Sequence, residues 1–133
     1  MKANELRIGN WAYNNKDVQV TSNMIHNYDI GIYDLNPIPL TEEWLLKFGF
    51  ERFIFKVDTD YQKTSDILYK LQIDTSQTLT IKISKPFLFP MIKCTKQNQG
   101  YYLRGVRHVH ELQNLYFALT RQELNFKDKY NEL

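Results

Sequence analysis

His108, His110 and Glu111 form the densest group of potential metal ligands in the chain, and Cys94 would complete a four-donor set of the kind that holds zinc. The spacing works against that use. In a helix, residues two apart point about 200° away from each other, so His108 and His110 meet at one ion only if their stretch is extended. The expectation is a solvated helix N-terminus without metal. Asp58, Asp60 and Asp66 are a second group: alternate residues of a strand share a face, which is how carboxylates gather on magnesium for phosphodiester chemistry. Their surroundings are Thr-rich and turn-like, which favours a solvated loop. Cys94 as a nucleophile would need a histidine beside it, whereas a lone cysteine ordinarily serves as a small buried hydrophobe. Gly9, Gly31, Gly49, Gly100 and Gly105 are scattered, so neither a phosphate loop nor a dinucleotide fingerprint is present, and there is no nucleophile elbow. No catalytic residue, metal or cofactor is assigned.

Charge offers a different chemistry. Between Asp74 and Glu111 the chain has no acid, and residues 75–110 carry Lys82, Lys85, Lys93, Lys96, Arg104 and Arg107 for a local charge of +6; the whole chain is +2, so the remainder carries −4. Lys82 alternates with Ile81 and Ile83, which places it on the opposite face of a strand beside Thr78 and Thr80. If that strand lies near the one ending at Arg104, the six cations form one patch, with Tyr101 or Tyr102 available for stacking. RNA, DNA or an acidic protein surface would suit it; the alternative is an ordinary solvated face.

Several elements must position these residues. Leu6 to Tyr13, the turn residues Asn14 to Asp17, and Val18 to Thr21 predict a hairpin, and the N-terminal third as a whole reads as strands. A Leu-x-Ile-Gly-Asn-Trp opening followed by a turn and a Val-x-Val strand also suits the first hairpin of a small SH3-like barrel. Pro37 and Pro39 hold the chain extended before a short helix over 41–48, with Thr41 as N-cap, Glu42 and Glu43 at its positive end, Gly49 as stop and Trp44, Leu45 and Phe48 on its core face. Phe53 to Val57, Ile67 to Ile73 and Leu79 to Ile83 alternate as half-buried strands, and their short connections predict an antiparallel meander. Phe87 to Phe89, between two prolines, reads as an edge strand or loop, residues 97–100 as a turn, and Tyr101 to Arg104 as a further strand. Val109, Leu112, Leu115, Tyr116 and Leu119 recur at helical spacing and predict a helix over 108–119.

These elements make one α+β domain over residues 1–133, mainly antiparallel β with two short helices. The hydrophobic fraction of 43% and aromatic fraction of 14% exceed what a disordered chain carries. A single cysteine allows no internal disulfide, and without a signal-like or membrane-spanning apolar run the chain reads as cytoplasmic.

Three blocks, Leu6 to Trp11 (LRIGNW), Ile38 to Phe50 (IPLTEEWLLKFGF) and Val109 to Thr120 (VHELQNLYFALT), together resemble a family of small phage and prophage proteins with no established activity. The resemblance implies a phage setting, in which accessory proteins of this size often inhibit or redirect a host machine. The expectation is therefore a non-enzymatic binding protein that antagonises host defence in the manner of an anti-CRISPR inhibitor of a nuclease or ribonucleoprotein. The alternative is a small nucleic-acid-binding module using the basic aromatic face, and an enzyme built on Asp58, Asp60 or the histidine cluster is a third reading.

Overall fold

The structure, a computed structural model, describes residues 1–58, 60, 63–83, 90–96, 99–103 and 105–127, with the backbone alone at 55, 57, 58, 63–66, 90, 91 and 101. The architecture is α+β with antiparallel sheets throughout. The chain divides into two compact units, the first formed by Met1–Leu40 with Arg107–Leu124, the second by Thr41–Val106 with Asn125–Leu133.

In the first unit the predicted hairpin forms from β1 (Trp11–Tyr13) and β2 (Asp17–Gln19), with Ala12 opposite Val18. Asn15 takes the left-handed conformation its turn requires, at φ 58°, which asparagine tolerates. The chain then departs from the all-strand expectation: Ser22–Asp29 is a helix, α1. Thr21 caps it by accepting from the Met24 N–H at 3.3 Å, and Met24, Ile25 and Tyr28 share one helical face packed against the cluster of Leu6, Ala12, Val20 and Leu35. The second helix of this unit, α3 (Val109–Thr120), buries Val109 and Leu112 completely and ends at Arg121 in the left-handed region, φ 59°.

The second unit begins with α2 (Glu42–Lys47). Thr41 has the extended backbone of an N-cap, but its side chain makes no capping bond, so Glu42 and Glu43 favour this end through the helix dipole alone. Gly49, at φ +93°, ends the helix as expected. Trp44, Leu45 and Phe48 are buried, and the rings of Trp44, Phe48 and Phe126 meet at centroid distances of 5.5–5.8 Å.

Five strands follow in a meander: β3 (Glu51–Asp58), β4 (Lys63–Gln72), β5 (Gln77–Ile83), β6 (Pro90–Lys96) and β7 (Gln99–Leu103), each antiparallel to its sequence neighbour. The sheet is open, with β3 and β7 at its edges, and no closed barrel occurs among the described residues. The β4–β5 turn is set by Asp74, whose carboxylate accepts from the N–H groups of Ser76 and Gln77, both at 2.7 Å. Strand β6 has no counterpart in the sequence reading, and Gln99 and Gly100, assigned there to a turn, open β7. Phe87 to Phe89 and residues 97 and 98 lie outside the described residues.

Candidate functional site

Strand alternation sorts the five-stranded sheet into two faces. Tyr69, Leu79, Ile81, Ile92 and Cys94 are buried on one. The opposite phase carries two rows across the strands, running Glu51, Lys70, Thr80, Lys93, Tyr102 and Phe53, Leu68, Lys82, Met91 by Cα register. Since adjacent strands lie roughly 5 Å apart and alternate residues roughly 7 Å, Lys70, Lys82 and Lys93 stand at the corners of a triangle with sides of about 8–10 Å, Thr80 lying midway along the side from Lys70 to Lys93. A groove of about 350 Å³ opens there, lined by Leu68, Lys70, Thr80, Lys82, Lys93, Thr95 and Tyr102, and its described lining includes no acid.

Aromatic rings stand at both sides of this basic centre. Tyr102 is 63% exposed and Phe53 44% exposed, large values for rings in a sheet. The Lys93 ammonium lies 5.8 Å from the Tyr102 centroid, and the Lys70 ammonium 5.1 Å from that of Phe53. Gly100 is what admits the Lys93 side chain: a Cβ at that position would stand 2.2 Å from Lys93 Cε, so the lysine stem lies across the bare glycine backbone.

Of the residues proposed from sequence, Lys82, Lys93 and Tyr102 are brought together in this groove. Lys96 is exposed at the end of β6 and acts on Asp74, whose carboxyl is held below its usual range first by the Ser76 N–H and more weakly by Lys96. Arg107 belongs to the first unit, where its N–H donates to Glu111 at 3.3 Å. Lys85 and Arg104 lie outside the described residues, and Tyr101 is described by its backbone in β7, opposite Cys94. Lys70, Phe53 and Thr95 were not anticipated. The signal for Lys70 was present, because it alternates with Tyr69 and Leu71 as Lys82 does with Ile81 and Ile83.

The histidine cluster takes a form the helical argument did not foresee. His108 is the N-cap of α3 with extended backbone, so the geometry of residues two apart within a helix does not apply, and the rings of His108 and His110 stack at 5.8 Å with 18° between planes. His110 is not solvated either: it is 1% exposed, its Nε2 lies 3.5 Å from Glu5 Oε1, and its Nδ1 is buried without a hydrogen-bond partner. Burial holds its pKa below the usual histidine range, with Glu5 opposing the shift. His108 Nδ1 instead pairs with Glu111 at 2.5 Å. Among the described residues no three of His, Cys, Asp and Glu gather as a metal site. Cys94 is fully buried in the sheet core, and Asp60 is exposed, while the side chains of Asp58 and Asp66 lie outside the described residues.

A polar network occupies the first unit. Asn10 and Gln113 are buried, and Asn114 Oδ1 accepts from both Arg7 Nη1 and Asn10 Nδ2 at 3.0 Å. The Arg7 guanidinium also lies 3.9 Å from the Phe117 centroid and pairs with Glu123. This network joins the opening and closing blocks of the sequence, and its contacts are internal. No helix among the described residues is long and apolar enough to cross a membrane. No family model, curated protein or solved structure matches the chain.

Proposed function

We propose that this protein is a non-enzymatic binding protein, and that the polar face of β3–β7 takes up single-stranded nucleic acid, free or as the exposed strand of a nucleoprotein. The observation that carries this reading is the groove itself: three lysines and Thr80, flanked by the exposed rings of Tyr102 and Phe53, with no acid in its described lining. Ammonium groups engage the phosphates of a strand through charge, and exposed rings accept unstacked bases, whose π-faces a duplex keeps covered. The resemblance to phage and prophage proteins favours a host-defence nucleoprotein as the carrier of that strand. Recovery from host lysate with and without nuclease treatment tests the carrier.

Direct binding is tested by fluorescence anisotropy with labelled single-stranded and duplex oligonucleotides at several salt concentrations. Three lysines neutralising the phosphate charge of a single strand predict a slope of log K against log salt of about −2. Charge reversal at Lys70, Lys82 and Lys93 should remove binding. Absence of single-strand binding, or equal affinity for the triple variant, overturns the reading; binding of an acidic polypeptide in place of the oligonucleotide would assign the face to a protein partner.

A further inference from the structure

We propose that the groove between β4 and β7 is a site for one nucleotide bearing a phosphate monoester, as at a phosphorylated strand end. The inference rests on the strand-binding reading and adds to it a defined unit of ligand. Three points of geometry carry it.

The lysines are clustered, not strung out. A strand tracked phosphate by phosphate calls for a line of cations, whereas Lys70, Lys82 and Lys93 bound a single triangle, with Thr80 midway along its Lys70–Lys93 side. Each flexible four-carbon stem lets its ammonium reach the interior of that triangle. Three cations able to reach one point suit the higher charge of a phosphate monoester better than the single charge of a diester.

The groove is also small. At about 350 Å³ it stands at the lower end of ligand sites, room for one nucleotide unit. Tyr102 is two strands from Thr80 in the same row, roughly 10 Å by backbone spacing, which places a base on the ring while its own phosphate sits among the lysines. Leu68 gives the groove an apolar lining residue beside them.

The third point is that two of the three ammonium groups occupy aromatic faces. Lys93 lies over Tyr102 and Lys70 over Phe53. Such exposed cation–π contacts are weaker than a charge-assisted hydrogen bond to phosphate, so a phosphate draws both ammonium groups inward and leaves the ring faces to a base. Phosphate and base therefore assist each other, and a ligand with both binds more tightly than its two halves predict.

The test compares four probes on the intact protein: a short single-stranded oligonucleotide with a 5′-phosphate, the same oligonucleotide with a 5′-hydroxyl, a nucleoside 5′-monophosphate and inorganic phosphate. The phosphorylated strand should bind about tenfold more tightly than its hydroxyl form. Tyr102→Ala should remove about tenfold of affinity for it, Tyr102→Phe little, and Lys82→Met should abolish the preference for phosphate. Equal binding of the two oligonucleotides overturns the monoester site while leaving strand binding intact. Binding of the monophosphate without either oligonucleotide keeps the site and overturns the strand reading. Monophosphate bound as tightly as the phosphorylated strand supports the site and identifies a free nucleotide as its source, whereas inorganic phosphate bound equally well removes the base from it.

Discussion

Gln113 and Trp11 are joined side chain to backbone: Gln113 Oε1 accepts from the Trp11 N–H at 2.8 Å, while its Nε2 donates to the carbonyl of Gly9 at 3.2 Å. One buried amide thus ties α3 to the start of β1.

Gln113→Ala removes both of these bonds, though the Gly9 carbonyl keeps Gln19 Nε2 as a donor at 3.3 Å, and should destabilise the protein by about 1–3 kcal/mol. Chemical denaturation reads this directly. An unchanged midpoint and slope would show that the amide is dispensable.

Leu112 is fully buried and Leu115 only half-buried on the same helix. Leu112→Ala should cost about 2–5 kcal/mol, as truncations of buried leucines do, with Leu115→Ala distinctly milder. Thermal melts of the two variants, ranked the other way, would contradict the helix orientation.

His110 gives an acid-sensitive limb to stability. Burial lowers its folded pKa, so between that value and about 6.5 the unfolded chain binds more protons than the folded one. Stability is whole above about pH 6.5 and falls as the pH drops through that value. Glu5 adds a separate limb: the Lys2 N–H is the largest influence lowering its pKa, so its contribution is present above the ordinary carboxylate range and lost below it. Thermal melts across pH 5 to 7.5 should flatten in His110→Leu, roughly the span of histidine titration. An unchanged upper limb in that variant would remove His110 as its cause.

Gly100→Ala separates binding from folding. The added methyl displaces the end of the flexible Lys93 side chain, so the melting temperature should stay nearly constant while single-strand affinity changes. Oligonucleotide titration beside a melt checks both, and unaltered affinity would show that the resting place of Lys93 does not matter.

Periodicity revealed much of this molecule. The alternation in β3, β4 and β5, the spacing from Val109 to Leu119 and the Gly49 stop all correspond to observed elements. Helix α1 was obscured because none of its residues is fully buried, so its apolar face is faint. Strand β6 was obscured because Pro90 opens it and its apolar alternation is short, with only Ile92 and Cys94 buried on either side of Lys93. The groove was half visible: an acid-free run finds Lys82 and Lys93, but a sheet face is composed by register, and Lys70 joins them from before Asp74. The carboxylate beside buried His110 comes from Glu5, far away along the chain.

The order of the two units along the chain bears on how the protein is made. The first unit opens with Met1 and waits for α3, while the second, enclosed between Leu40 and Arg107, waits for Phe126 to complete its aromatic cluster. Domains usually fold one after another as they leave the ribosome, but here the first unit lacks its last part until translation reaches Leu124, and the second lacks its third ring until Phe126 follows. A premature stop before Val109 would therefore leave two unfinished cores, whereas a stop just after Phe126 would retain both α3 and the ring that packs on Trp44 and Phe48.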